Sequence, residues 1–405
     1  MQRRPCWVEI STDAFEDNFR LLASACTGAG DAGLSAVELL AIVKADAYGH
    51  GLGLCAQAAV RAGARWLGVT SVEEGLAARE ATRELAPDAG ILVIGGPFPG
   101  QGATVVESRL TPVVWDGRQF EELEAAARAA GSEAVPVHLE FDTGMSRQGV
   151  GADELDAALE RFGSGSQLRL GGLMTHLYAA DESDSAATRE QFARLEAMVE
   201  RIVARGLRPE WLHVGNSAAV LAGEALYALR KICERFGLRP MARPGLALYG
   251  LAPEFAPEEP EAVTRLRGGL RRVLEWKTQV VSVRSVAAGQ AVGYNGTFVA
   301  TEPMRLALLA VGYADGLRRE LSNRGYVLVR GERAPIVGRI SMDQTVVDVT
   351  EISGVTAGDE VVLIGRQGAE SITAEDHAAW AGTIPWEIFT SIAARVERRR
   401  AGTRE

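Results

Sequence analysis

The chain has 405 residues, of which 47% are hydrophobic and 24% charged, and a formal net charge of −10. That length asks for two domains and that composition for a soluble globular protein. An acidic balance whose basic run is the short Arg398-Arg399-Arg400 argues against a nucleic-acid surface. Cys6, Cys26, Cys55 and Cys233 are scattered without a C-x-x-C, and His50, His138, His176, His213 and His377 lack metal-ligand spacing. Neither a disulfide framework nor a metal site is expected. The start, Met1-Gln2-Arg3-Arg4-Pro5-Cys6-Trp7, has no apolar signal core, and no apolar run is long enough to span a bilayer. The expected setting is the cytoplasm, where thiols stay reduced.

Cys6-Trp7-Val8-Glu9-Ile10 reads as a strand. Ser11 can cap the helix after it, in which Phe15, Phe19 and Leu22 recur at helical spacing. Residues 27–35 are Gly/Ala-rich and read as a loop. Strand-like apolar runs follow at 38–44, 66–70, 91–95, 110–115, 135–141, 168–176, 211–215 and about 244–250. Helical patterns lie between them at 52–62, 71–85, 117–130, 152–162, 187–205 and 217–236. Eight short runs, apolar on both faces and alternating with helices, predict a parallel (β/α)8 barrel over 11–253. An open doubly wound sheet competes, but no G-x-G-x-x-G follows the first strand. Residues 254–262 are acidic and proline-rich, a linker by composition. Beyond it, strands at 274–286, 304–312, 326–329, 336–340, 345–349 and 360–364 come close together, and short helices open at Thr373 and Pro385. Residues 254–405, with the strand in 1–10, therefore form a mostly-β second domain.

In a barrel the chemistry belongs at the C-terminal ends of the strands. The first strand ends in Lys44, then Ala45-Asp46-Ala47-Tyr48-Gly49. A poorly hydrated lysine there has a lowered pKa and is a candidate Schiff-base nucleophile, although a lysine can also snorkel out of a strand end. Arg147 follows the fifth strand and His176 ends the sixth. Asn216-Ser217 ends the seventh and opens a helix; Arg243-Pro244-Gly245 precedes the eighth, which ends in Tyr249. Ser217 is a good N-cap, and a helix start with a nearby glycine loop also suits a phosphate. An amine beside a phosphate cradle suggests pyridoxal phosphate.

The run from Ala41 to Gly51 resembles the cofactor-lysine signature of alanine racemases, pyridoxal-phosphate enzymes with a barrel domain and a β-rich C-terminal domain. The likeness recurs at Asp142-Thr143-Gly144-Met145, Thr175-His176, His213-Val214-Gly215-Asn216-Ser217, Arg243-Pro244-Gly245, Val292-Gly293-Tyr294, Gly312-Tyr313-Ala314-Asp315-Gly316 and Gly338-Arg339-Ile340-Ser341-Met342-Asp343-Gln344. Seven motifs in one order are highly specific. The resemblance implies that Lys44 carries the cofactor and is the base on one substrate face, with Tyr294 of a second copy as acid/base on the other. It implies a cofactor site of Lys44, Tyr48, His176, Asn216, Ser217, Arg243, Gly245 and Tyr249, with Arg243 against the pyridine nitrogen. Arg147, Tyr313 and Met342 are implied on the substrate side, Arg147 steering the cofactor's phenolate oxygen. A homodimer with shared active sites and an alanine substrate for cell-wall precursor supply are implied too. A broader amino-acid racemase, such as one for serine, and a non-catalytic cofactor-binding barrel stand as alternatives. A decarboxylase of this scaffold would need a cysteine in the second domain, and none follows Cys233.

Two departures stand out. Many relatives carry a carbamylated lysine seven residues before the arginine matching Arg147, and this chain has Glu140 there. Glu140 shares a strand face with His138 and Asp142, and is expected to supply that negative charge to Arg147, or to pair with another cation of the barrel. Ala394 stands where relatives often have a tyrosine at the active-site entrance.

Overall fold

The computed structural model describes residues 4–27, 34–132 and 134–402. The first three residues and most of the expected 27–35 loop lie outside the described residues. The chain divides into two compact units, one of residues 13–47 and 52–271, the other of 4–12, 48–51 and 272–402.

The first unit is the barrel. Strands β2 (Glu38–Ile42), β3 (Trp66–Val69), β4 (Gly90–Val93), β5 (Thr111–Val114), β6 (Val135–Glu140), β7 (Leu168–Met174), β8 (Trp211–His213) and β9 (Arg239–Ala242) pair in parallel and close on themselves. Leu40, Ala41, Leu67, Ile91, Val113 and Leu139 are fully buried, as double-sided burial of a parallel sheet requires. Gly68 keeps that interior closed: a Cβ there would lie 2.4 Å from Leu40 and 2.6 Å from Ile42. The enclosing helices present apolar stripes, as in Thr12–Ala25, where Phe15, Phe19 and Leu22 are buried.

The eighth strand is not the one expected. Residues 246–249, the more apolar run, form a 3-10 turn, Leu246–Tyr249. Pro244 has no N–H for a ladder, and Gly245 follows it. The strand lies just before, at Arg239–Ala242, hidden by its charged start and by Pro240. Arg243 therefore follows a strand end rather than preceding a strand. The helix expected over 217–236 is two, Ser217–Ala222 and Glu224–Phe236, broken at Gly223 with φ +85. The acidic 254–262 stretch runs into a helix, Glu261–Gly269, that composition had concealed.

Among the described residues the second unit holds a nine-stranded sheet and a two-stranded one, Ala291–Val292 with Phe298–Val299. Its longest strand, β10 (Leu274–Val286), buries Leu274, Trp276, Thr278 and Val280 and leaves the residues between them half-buried, a period of two. Strand β1 (Cys6–Ile10) pairs antiparallel with β10, Val8 facing Trp276, and parallel with Glu397–Arg400. The strand expected at 336–340 does not form. Ile336 makes one bridge to Val347, and the chain pairs earlier, Glu332–Pro335 against Tyr326–Val329.

Trp276 is fully buried, and its indole N–H donates to Cys6 Sγ at 3.4 Å. Replacing it with alanine should cost about 3–5 kcal/mol. The denaturant midpoint of the β unit measures this, and a shift worth less than about 1 kcal/mol would put the weight of that core elsewhere.

Candidate functional site

Lys44 starts a turn that few sequences adopt. Ala45, Asp46, Ala47 and Tyr48 all have positive φ, 51 to 54°. Each non-glycine residue in that conformation costs roughly 1–2 kcal/mol, so the turn must be held. Glu74 holds it, taking the N–H of Ala45 at 2.6 Å on one carboxylate oxygen and that of Thr70 at 2.8 Å on the other. Asp46 accepts from the Leu52 N–H at 2.7 Å, and the Ala47 N–H donates to Val43 O. The outcome is a half-buried amine whose pKa is lowered by burial first, then by Arg147 and Arg243, with Glu74 opposing. Burial pushes the Tyr48 phenol up to about 12.

Arg243 is the cation at the centre of this end of the barrel, buried and with both terminal nitrogens committed. Nη1 donates to His213 O at 2.8 Å and Nδ1 at 3.3 Å; Nη2 donates to Thr175 O at 2.9 Å and His176 Nδ1 at 3.2 Å. A guanidinium only donates, so each of those ring nitrogens is an acceptor. His213 then carries its proton on Nε2 and gives it to His138 Nδ1, 2.8 Å away. The result is one directed chain, His213 to His138 below and Arg243 to His176 above, in which every imidazole is neutral. Burial, seconded by Arg243 and other cations, holds His138 and His176 down to about 3 and His213 well below its ordinary value. Arg243 itself is drawn down to about 10 by burial, with Glu140 opposing. Room for His138 comes from Gly172, where a Cβ would meet the imidazole at 2.7 Å.

Asn216 is the N-cap of Ser217–Ala222, its side chain accepting from the Ala219 N–H at 3.2 Å, so Ser217 is not the cap. Ser217 Oγ instead accepts the N–H groups of Gly245 at 3.0 Å and Ala247 at 3.1 Å. The hydroxyl thus gathers two backbone N–H groups of the loop after β9 onto the helix start that follows β8. Tyr249 donates its phenol to Ile42 O at 2.8 Å, tying the 3-10 turn to the strand that ends beside Lys44.

Glu140 is buried, but its hydrogen-bond partner is Gln148, not Arg147. Among the described residues no ion pair joins Glu140 to Arg147, whose side chain is exposed on the loop after β6. Gln148 sits eight residues on and also reaches Ile94 O at 3.4 Å, so it meets the carboxylate first. Burial raises the Glu140 pKa, and Arg243 offsets this more than Arg147 does. The expectation that Glu140 orients Arg147 is replaced by a buried carboxylate that balances Arg243. Asp142 leaves that strand face altogether, accepting from Gly144 and Ser146 N–H in the loop.

Tyr294, Tyr313 and Met342 lie on the β unit with exposed side chains, Tyr294 the most at 68%. Tyr294 follows Gly293 in a tight turn, Tyr294–Gly296. Gly338 (φ +75) lets that turn pack closely: a Cβ there would lie 2.7 Å from Val292 O. Tyr313 and Met342 belong to neighbouring loops, Tyr313 N–H donating to Ser341 O and Ala314 N–H to Met342 O. The residues without an expected role are Glu74, Gln148, His213 and Thr175. Glu74 had a readable signal, Ser71-x-x-Glu74, but that pattern announces a capping box rather than a clamp on a distant turn.

Residues 10–253 match the model of the alanine racemase N-terminal domain and 273–400 that of its C-terminal domain. An alanine racemase of Symbiobacterium thermophilum is 40% identical over 400 residues, covering 98% of each chain. The structure of the alanine racemase from Streptomyces coelicolor superposes with a TM-score of 0.85 at 37% identity over 98% of both chains. That of Bartonella henselae, solved with covalently bound pyridoxal phosphate, gives 0.78 at 29% over 98% of this chain and 99% of the other.

The histidine chain sets a pH dependence. Between the ordinary value of 6.5 and about 3, the unfolded chain takes up protons on His138 and His176 that the folded one refuses. Stability should therefore fall as pH falls through that window. His138→Gln keeps an acceptor for His213 and should flatten the slope by about one proton; an unchanged slope in denaturant titrations would show that His138 is protonated in the fold.

Proposed function

The chain belongs to the alanine racemase family, and from that premise we propose that it interconverts L-alanine and D-alanine, using pyridoxal phosphate in sites shared across a homodimer. The observation that carries this reading is the Lys44 amine, fixed on a strained turn and lowered in pKa by burial and two arginines. A deprotonated amine is what a cofactor aldehyde requires.

The residues present fit the group. Lys44 would hold it covalently. A phosphate there would take over the Gly245 and Ala247 N–H groups now held on Ser217 Oγ, freeing the hydroxyl to donate to it. Asn216 fixes the helix start beneath it, and Tyr48 would add its phenol. His176 and Tyr249 keep Arg243 and the end of β2 in register. Arg243 would face the pyridine nitrogen and keep it unprotonated, because a second cation against a guanidinium is costly. Arg147 would steer the phenolate oxygen. When bound, the cofactor supplies an electron sink that makes the Cα proton removable.

Everything else is proton handling by this chain. Lys44 Nζ takes the Cα proton from one face, and the Tyr294 hydroxyl of a second copy returns one on the other. Inversion needs two such groups on opposite sides. Tyr313 and Met342 of that second copy meet the substrate carboxylate. The exposure of all three on one chain supports their use by another. The four cysteines are free thiols, which supports a reducing compartment, and we infer a cytoplasmic enzyme that supplies D-alanine for peptidoglycan precursors.

Two measurements test the reading. With added pyridoxal phosphate the protein should racemise alanine from either enantiomer, and at least about tenfold faster than serine, a gap worth about 1.4 kcal/mol; serine as the better substrate would replace alanine with the broader racemase. Mixing inactive Lys44→Ala and Tyr294→Phe proteins under exchange conditions should restore about a quarter of wild-type activity, since half the dimers then carry one intact site. No recovery would rule out shared sites.

A further inference from the structure

Tyr313 and Met342, expected on the substrate side, and Ala394, expected at the entrance, have charged residues just behind them in the chain: Asp315, Asp343 and Arg395. In the fold these three close a ring with Arg4. Arg4 Nη2 is ion-paired with Asp315 Oδ2 at 2.9 Å, and its Nη1 donates to Asp343 Oδ1 at 3.2 Å. Arg395 donates from Nε to Asp315 Oδ1 at 2.8 Å and from Nη2 to Asp343 Oδ1 at 2.7 Å.

Asp315 is the buried member, 1% exposed, against 52% for the side chain of Asp343. Its Oδ2 also accepts the Gly312 N–H at 2.8 Å, and its own carbonyl accepts the Ala393 N–H at 3.0 Å. One carboxylate therefore ties together the flank of β1, the 312–316 loop and the 392–396 loop. Arg4 extends the tie to Ala310 O and to the carbonyl of Asp343. The loops touch so closely that side chains are excluded. A Cβ on Gly312 would lie 2.4 Å from Ser341 O and Met342 O, and one on Gly316 2.3 Å from Ser391 O. Yet Tyr313 and Met342 project from this locked base with half their surface free.

A buried carboxylate with two hydrogen-bond donors and a second arginine paired to it is a costly base for two exposed side chains unless their placement matters. We propose that Asp315 is a positioning residue: through the Arg4–Asp315–Arg395–Asp343 ring it fixes Tyr313 and Met342 as one rigid wall for the substrate carboxylate. This rests on the racemase reading and deepens it. Arg395 carries the same constraint to Ala394, so the side of the entrance that has lost a bulky residue is still held in place. The ring acts on substrate binding and not on proton transfer, because among the described residues none of its bonds reaches Lys44 or Tyr294.

Steady-state kinetics of Asp315→Asn test this. The asparagine keeps an acceptor for Gly312 but removes the charge that holds both arginines. KM for L-alanine should rise about tenfold with kcat within about twofold, the pattern of lost uniform binding. The absorbance of bound cofactor should not change. A variant with lowered thermal stability but unaltered KM would reduce the ring to a fold staple and overturn the assignment. If Asp315→Asn does not fold, Asp343→Asn and Arg395→Lys, at the exposed side of the ring, should each raise KM about threefold at steady kcat. Unchanged KM in both would equally overturn it. A wild-type protein that racemises no amino acid would instead sink the function itself, a failure visible before any variant is made.

Discussion

A single buried guanidinium organises the barrel end. Arg243 has four acceptors within reach, two of them carbonyls at strand ends and two of them imidazole nitrogens. Because arginine cannot accept and hardly deprotonates, it dictates the tautomers of His213 and His176, and through His213 that of His138. Its charge also reaches Lys44 and Glu140, lowering the amine and offsetting the burial of the acid. Removing one partner from such a network leaves a charge or a carbonyl stranded, which is why buried networks of this kind tolerate little change.

The same charge explains why Glu140 sits where it does. A buried carboxylate without compensation is expensive. Here it has Gln148 as a neutral donor and Arg243 as the larger of its two positive neighbours. Arg147 is left exposed on its loop, with no ion pair to that carboxylate among the described residues and the weaker of the two effects on it.

Much of this was legible from the residues, for identifiable reasons. Barrel strands buried on both faces read as apolar runs, so seven of the eight stood near their expected positions. The eighth did not, because Arg239 and Pro240 disguise a real strand and the apolar 246–249 run mimics one. In the β unit, the alternation of β10 was plain, while Glu397–Arg400 is a strand written in charges, made so by pairing with β1. Lys44 could be singled out because a strand ends on it. That Ala45 to Tyr48 are left-handed could not, since nothing in Ala-Asp-Ala-Tyr favours positive φ. The turn is imposed by Glu74, 29 residues from the N–H it holds, and local pattern is blind at that distance.

The two units solve the same problem by different means. In the barrel, a buried cation is surrounded by carbonyls, neutral imidazoles and a carboxylate, and with burial and Arg147 it lowers the pKa of an amine nearby. In the β unit, a carboxylate is buried and two arginines converge on it, so that the backbone around Tyr313 and Met342 cannot shift. The first arrangement tunes a pKa and tolerates strain to do so. The second tunes nothing chemical and stores no unusual φ in the residues it steadies; it sets geometry alone. A reaction that moves a proton through a fixed carbon needs both, a group with the right affinity for the proton and a substrate that does not turn while the proton is exchanged. The division of labour follows from the residues each fold can bury. A parallel barrel offers a closed interior in which one charge is felt by every group around it. An open sheet keeps its core under the strands and leaves its loops outside, where a buried ion pair can brace them.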